Sequence, residues 1–464
     1  MLFKIAVRNI LRNRRRSAVT GLAVAVGAAA LLVFGAFESY VFAGLETGIV
    51  QRQGHLTVFR DGYFLFGAGN PAAYGIDDYQ RVIALIAGDP ELTPLVNVVT
   101  PTLSLFGIAG NFEGGNDAAK TFFGLGVVPS DSERMRQWDE FGASRPYAPD
   151  PNLSDGEPTR GYVGVGLARI LGLCGRLAIK DCPAPPALAA EPAASAGASE
   201  DFSDLTRRDV PPIAADTLPR LDLLGATAGG APNVLSLYVA GAEAQPVRDV
   251  DDSFVGMHLA LAQQLLYGRG EHKVTGIVLQ LHHGSDLERA RARLGALLKA
   301  HNLPLEVRDF TELAPLYKQV VGFFGAIFLF IAVIMGVIVL FAVVNTMTMT
   351  VMERTNEIGT TRAMGVRRAG IRRQFLLEGW LLGAIGASIG VAVAFVIALA
   401  VNRAGLSWTP PGNVTPAPLR LDLVGRGNLV AGTWLALVLV ATLAALFPAN
   451  RAARLPVVDA LRHV

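Results

Sequence analysis

Four uninterrupted apolar stretches constrain this chain more than any other feature of its sequence. Ser17 to Phe37, Gln319 to Met352, Gly379 to Asn402 and Gly427 to Asn450 carry no charged residue. Each reaches the roughly 20 apolar residues that a helix needs to cross the hydrocarbon of a bilayer. No other window does. A hydrophobic content of 51% and a mean hydropathy of +0.39 are too apolar for an ordinary soluble enzyme. The pattern predicts an α+β membrane protein with four transmembrane helices, one before and three after a large mixed α/β domain.

Charge sets the expected orientation. Lys4, Arg8, Arg12, Arg14, Arg15 and Arg16 precede the first span. Arg354, Arg362, Arg367, Arg368, Arg372 and Arg373 lie between the second and third, and Arg451, Arg454 and Arg462 follow the fourth. Basic residues mark the cytoplasmic side of short loops, and four spans place these three segments on one side. Both termini are therefore expected in the cytoplasm. The first span has a basic front and small residues at Ala28, Ala29 and Ala30, as a cleaved signal would. Its apolar run continues to Phe37, too long for a signal core, and it reads as an uncleaved anchor. Ahead of it, Phe3, Ala6, Val7 and Ile10 recur at helical spacing opposite a basic stripe, a pattern for a helix lying on the inner leaflet. The second span, as 34 uncharged residues, would form a helix of roughly 50 Å against about 30 Å of hydrocarbon, so part of it is expected to project as a stalk. Gly379, Gly383, Gly386 and Gly390 give the third span small residues at every third or fourth position, which permits close helix contact.

The middle of the chain is acidic, with 23 Lys and Arg against 34 Asp and Glu between Glu38 and Lys318, a net of −11. Strand-like alternation appears at 55–60, 122–127, 235–239 and 274–281, and helical spacing at 78–87, 257–267 and 286–300. A Pro/Ala-rich run over 183–219 has little to bury and reads as an insertion. Cys174 and Cys182 lie in one loop. They read either as one loop-closing disulfide or as two separate thiols. Catalytic signatures are missing: there is no G-x-S-x-G, H-E-x-x-H or C-x-x-C. His282 and His283, adjacent at a strand end, point to opposite faces and make a poor metal pair. Asp251-Asp252 reads as a solvated turn. The domain is expected to bind or to transmit motion.

The segment ERTNEIGTTRAMGVRRAGIRRQFLLEG, Glu353 to Gly379, joins the second and third spans. It predicts a short helix over 353–364, a break at Gly365 and a second, basic helix leading into the third span. A short helix against the inner face of the membrane is what an ATPase would need to move the spans. Glu378, at the start of the third span, is expected to reach back to the interface.

This segment resembles the coupling region of the MacB/LolC/FtsX family of type VII ABC permeases, in which E-R-x-x-E-I-G, R-A-x-G and Q-F-L-x-E recur in this order. Ala6-Val7-Arg8-Asn9 with Leu11-Arg12-Asn13 is similar to that family's N-terminal signature. Pro448-Ala449-Asn450-Arg451-Ala452-Ala453-Arg454, with Pro456-Val457 and Ala460-Leu461-Arg462, is similar to its closing phrase, although only Leu455 separates Arg454 from the proline. Gly54-His55-Leu56-Thr57-Val58 and Val163-Gly164-Val165-Gly166-Leu167-Ala168, followed by Leu171-Gly172-Leu173, resemble phrases of its ectodomains.

The resemblance implies a permease subunit in a bacterial inner membrane. It would pair with a second permease subunit and two ABC ATPase subunits, contact membrane lipids, and engage a periplasmic adaptor or cargo protein. No nucleic acid is expected. ATP and Mg would be bound only through the partner ATPase, since the sequence has no G-x-x-x-x-G-K-[ST]. Cargo would be a lipoprotein, lipid, peptide or amphiphilic drug. The alternatives are a mechanotransmission complex acting on a cell-wall hydrolase, and a membrane enzyme or receptor without an ATPase. By position, Glu353, Arg354, Glu357, Ile358, Gly359, Arg362, Ala363 and Gly365 would contact the ATPase.

The expected organisation is then a cytoplasmic interfacial helix at 1–16, the first span at 17–42 and a MacB-like periplasmic core domain at 43–315. A stalk and second span follow at 316–352, a cytoplasmic coupling helix at 353–374 and the third span at 375–402. A short outer loop at 403–426, the fourth span at 427–450 and a cytoplasmic tail at 451–464 complete the chain.

Overall fold

A computed structural model describes residues 2–67, 69, 71–113, 118–142, 153–179, 182, 218–268, 270, 272–409 and 416–457. Of the Pro/Ala-rich run, 183–217 lie outside the described residues. The chain divides into two compact units, a helical one (Met1–Ala43, Leu316–Trp408, Ala417–Val464) and an α/β one (Gly44–Pro315, Thr409–Pro416).

The helical unit begins with α1 (Leu2–Arg12), which is followed by α2 (Arg14–Gln53). The α2 helix runs well beyond the apolar stretch at its start, because no glycine turn or proline interrupts it before Gly54. There a positive φ of 66° ends the helix, and a Cβ would fall 3.0 Å from the Leu279 carbonyl carbon, so the Gly54-His55 phrase is a backbone requirement. Three further long helices fall in or near the other apolar stretches. These are Pro315–Glu353, Arg368–Ala404 and Gly427–Arg454. Together with α2 they are the four helices long and apolar enough to cross a membrane among the described residues.

The glycines of the third apolar stretch divide between two neighbours. A Cβ on Gly379 or Gly383 would lie 2.5 and 2.7 Å from the Cβ atoms of Ala445 and Ala441, on the last helix. A Cβ on Gly386 or Gly390 would lie 2.7 and 2.5 Å from those of Val24 and Ala28, on α2. The small residues thus let one helix approach two others, as lipid-embedded packing favours. Pro315–Glu353 is the most exposed of the four. Its buried residues, Val339, Val343, Met347 and Val351, recur every fourth position and make a single seam.

Among the described residues of the α/β unit, nine strands form one mixed sheet: β1 (Leu56–Arg60), β2 (Val96–Asn111), β3 (Ala118–Val127), β4 (Arg160–Gly164), β5 (Arg220–Ala226), β6 (Pro232–Glu243), β7 (Phe254–His258), β8 (Gly276–Leu281) and β9 (Leu305–Asp309). The order is β3-β7-β4-β6-β5-β2-β8-β1-β9, and β2 also pairs with β3, so six strands close on themselves while β8, β1 and β9 extend from β2. The 16-residue β2 makes this possible by changing partners along its length. It pairs with β8 from Val96 to Thr102 and with β3 from Leu103 onward. Pro101 sits beside that handover. The helices of this unit are α3 (Tyr79–Ala87), α4 (Pro129–Arg136), α5 (Val165–Ile170), α6 (Arg248–Asp251), α7 (Leu259–Tyr267), α8 (Leu287–Ala300) and α9 (Phe310–Leu313). The remaining helices, already bounded above, become α10 (Pro315–Glu353), α11 (Thr355–Ala363), α12 (Arg368–Ala404) and α13 (Gly427–Arg454). One core, including Leu103, Leu105, Val163, Leu237, Val255, Leu265, Leu279 and Leu294, fills the α/β unit.

Asp251 corrects an expectation. It is buried, not part of a solvated turn, and its carboxylate accepts from Val165 N (3.1 Å), Gly166 N (2.7 Å) and Gln245 N (2.8 Å). Gly164 and Gly166 leave the room for it, since a Cβ on Gly166 would meet the Asp251 Oδ2 at 3.0 Å. Cys174 and Cys182 are joined by a disulfide, with Cα atoms 5.9 Å apart.

Gln51 and Arg52, in the last turn of α2, belong to the α/β unit. Gln51 Nε2 donates to the Arg136 and Trp138 carbonyls at 2.9 and 2.7 Å. Arg52 bonds Gln245 and pairs with Glu243 at 3.5 Å, and Glu243 also pairs with Arg136 at 3.0 Å.

Candidate coupling site

The segment between α10 and α12 folds as its residue pattern predicts. Arg354 leaves helical geometry (φ −109°, ψ 15°), α11 follows for nine residues, and Met364 and Gly365 end it. Gly365 has φ +97°, a conformation that L side chains rarely adopt, so the chain turns sharply there before Arg367 and the start of α12.

Arg354 and Glu378 form the buried centre of the site. The Arg354 Nη1 lies 3.3 Å from Glu378 Oε1, and their side chains are 9% and 3% exposed. Glu378 also accepts from Asn9 Nδ2 at 2.5 Å and from Gln374 Nε2 at 3.5 Å. An unpaired carboxylate here would be costly, and these donors are what allow it to stay. Glu378 is buried, and its partners Arg354 and Asn9 lie outside the apolar stretches. It turns into the bundle and binds two other motifs.

Around this centre lies a more exposed ring of ion pairs. Arg354 Nε donates to Glu357 Oε2 at 3.0 Å, and Arg12 Nη2 lies 3.0 Å from Glu357 Oε1. Arg16 pairs with Glu353, and Asn13 Nδ2 donates to it at 3.4 Å. The Arg12 guanidinium, with Arg354 second, holds the Glu357 carboxyl below the usual carboxylate range, and Glu357 in turn raises Arg12. On the other side, Arg362 Nη1 donates to the Leu455 carbonyl at 2.6 Å and to that of Ala453 at 3.4 Å. These carbonyls end α13 and have no partner within the helix, so a cation there satisfies both hydrogen bonding and the helix dipole. Ile358 and Gly359 face inward, Ile358 within the apolar cluster that holds Ile371, Phe375, Ala449, Ala452 and Ala453.

The three sequence motifs, the first of them hundreds of residues from the other two, thus meet at one end of the helical unit. Of the eight residues singled out by position, Arg354, Ile358 and Gly359 are buried, Arg362 is half-buried, and Glu353, Glu357, Ala363 and Gly365 are exposed. Position in the motif also failed to mark Asn9, Arg12 and Arg16 as partners of this segment. Their basic, Asn-containing pattern was the available signal. At the turn that ends α11 the surface carries Met364, 74% exposed, and Val366, 40% exposed. Apolar side chains this open at the tip of a turn mark a surface suited to a partner.

Residues 329–457 match the family described as FtsX-like permease C-terminal. The chain is similar to the macrolide export ATP-binding/permease protein MacB of Rhodopirellula baltica, 30% identical over 192 residues that make up 40% of this chain and 26% of that protein. It is also similar to MacB of Escherichia coli, 30% identical over 29% of this chain and 21% of the relative. To MacB of Neisseria gonorrhoeae it is 28% identical over 41% and 28%. The match spans about a quarter of the length of these curated relatives. The FtsX-like domain takes in α11, α12 and α13, and with them most of the network just described. On these grounds residues 329–457 form an FtsX-like permease domain, and over that part the chain is similar to the MacB-type ABC transporter permeases.

Proposed function

We propose that this chain is a permease subunit whose α11 receives the motion of a separate ABC ATPase and passes it to the spans and the α/β unit. The observation that carries this reading is the network at Arg354 and Glu378, which ties α11, through Glu357 and its N-cap Arg354, to α1 and α12. A helix bound on several sides by ion pairs moves its neighbours when it moves. In this reading the exposed Ala363, Met364, Gly365 and Val366, with Glu353 and Glu357, form the ATPase contact. Arg354, Ile358, Gly359 and Arg362 transmit behind it. Both termini and α11 are cytoplasmic, as the arginines favour, and the α/β unit is extracytoplasmic, where a disulfide persists. The last turn of α2, fixed through Gln51 and Arg52, carries displacement into that unit. Two such subunits bind two ATPases, and the cycle extrudes or releases a membrane-associated or periplasmic cargo of lipoprotein, lipid, peptide or amphiphilic drug type.

The test is recovery of tagged protein from native membranes in mild detergent, with ATPase assay and mass spectrometry of the eluate. Wild type is expected to bring down a P-loop ATPase, and Met364→Glu/Val366→Glu to lose it while keeping its own fold. Equal absence of ATPase from folded wild type would overturn the proposal.

A further inference from the structure

At the end of the helical unit opposite α11, α12 and α13 diverge around a groove of about 670 Å³. It falls in the roughly 300–1,000 Å³ range of ligand clefts. Val391 and Phe395 of α12 and Val430 and Trp434 of α13 line it, together with Leu423 and Val424 of the segment before α13. This wall segment is firmly seated, since Leu421 and Leu423 are buried against Leu32, Ala36, Ala394 and Ala398. Asn402 holds the same segment by exchanging hydrogen bonds with Leu421 at 2.9 and 3.0 Å. Trp434 Nε1 donates to Ser388 Oγ at 3.0 Å, which satisfies the indole and leaves its ring as apolar wall.

The wall segment also carries charge. Arg420 is exposed, and Arg426 is half-buried between the lining residues Val424 and Gly427. The single acid between them, Asp422, accepts from Gly425 N at 3.3 Å. An apolar slot in a transmembrane bundle, with two arginines on the segment that contributes to its lining, matches a molecule with an acyl chain and an anionic head. We infer that the groove binds one acyl chain of an anionic phospholipid, with Arg420 and Arg426 holding its phosphate. This rests on the four helices crossing a bilayer and is independent of coupling to an ATPase.

The test uses the full chain reconstituted in phosphatidylcholine bilayers containing acyl-brominated phosphatidylglycerol or acyl-brominated phosphatidylcholine. Bromine on an acyl chain quenches a tryptophan that it touches, and the part of the quenching removed by Trp434→Phe reports the groove. Brominated phosphatidylglycerol is expected to quench this part at the lower mole fraction. Arg420→Gln and Arg426→Gln, measured separately, should each reduce that selectivity by up to about fivefold, the scale of one basic residue's attraction to anionic lipid. Arg420 is exposed, so its replacement tests the inference even if Arg426→Gln disturbs the bond to the Ser39 carbonyl. Equal quenching by the two lipids would overturn it as ordinary lipid contact. Absence of quenching by either, with Trp434→Cys cross-linking between chains, would assign the groove to a second copy instead.

Discussion

Removing one member of the Arg354–Glu378 pair should destabilise the helical unit far more than removing both. At 3.3 Å and an effective dielectric constant of about 20, the Coulomb attraction is roughly 5 kcal/mol. Much of it offsets the desolvation of two groups that are each less than a tenth exposed. A single replacement leaves the other charge buried, which typically costs about 3–5 kcal/mol. The two single variants should differ. In Arg354→Met, Glu378 still accepts from Asn9 and Gln374. In Glu378→Leu, Arg354 keeps only Glu357 among its carboxylates, and Asn9 loses its acceptor. Glu378→Leu is therefore expected at the upper end of the range and Arg354→Met at the lower. The double variant should cost less than either single one, because a buried pair replaced by apolar groups of similar size is often near neutral. Reversible unfolding of the purified protein in mixed micelles, run as a double-mutant cycle, measures this. Single variants within about 1 kcal/mol of wild type, with no coupling in the cycle, would refute the reasoning, since exposed pairs behave that way.

Three other outcomes follow from the structure. Gly383→Val should separate α12 from α13, because its Cβ would lie 2.7 Å from that of Ala441; a loss of about 1–3 kcal/mol in the same unfolding assay is expected from overpacking. His55 is buried, and its Nδ1 accepts from Leu281 N at 3.0 Å, so burial lowers its pKa from 6.5 to about 4. The unfolded chain then binds the proton first as pH falls. Stability at this site is full above about pH 6.5 and declines toward pH 4, by about 3 kcal/mol in all, and His55→Phe should flatten that limb of a pH–stability curve. Asp251→Ala strands three backbone N–H groups, two of them in the first turn of α5, and should cost about 3 kcal/mol, with the loss seen as faster amide exchange at Val165 and Gly166.

The membrane helices were legible because a bilayer imposes a length on apolar runs, and the runs here are long and free of charge. The short helix over 355–363 and the turn at Gly365 were legible because polar residues and a glycine interrupt that pattern at the right places. What the sequence concealed were pairings at long range. Asn9 and Glu378 are 369 positions apart, and neither alone says that it is bonded. Asp251 looks like half of a solvated Asp-Asp turn, since its partners are backbone groups of a distant glycine-rich phrase. The strand β2 was missed for a local reason. Pro101 and two glycines, Gly107 and Gly110, break the alternation that marks a strand, and only the change of partners near Pro101 explains why a strand persists through them. The bend in exposure along α11 is similarly three-dimensional: the motif marks Arg354 and Glu357 alike, yet one is buried and the other is not.

The central claim is that α11 touches an ATPase and transmits from the contact to the spans. Its most direct test is photocross-linking in native membranes with benzoylphenylalanine at Met364 or Thr360, both exposed on or beside α11, and at Leu435, exposed on α13 far along the sequence. The account predicts an adduct with a P-loop ATPase from the first two positions and none from Leu435, with the Met364 adduct changing in yield when ATP is added. Adducts of equal yield at all three positions, or none with an ATPase at any, would contradict it.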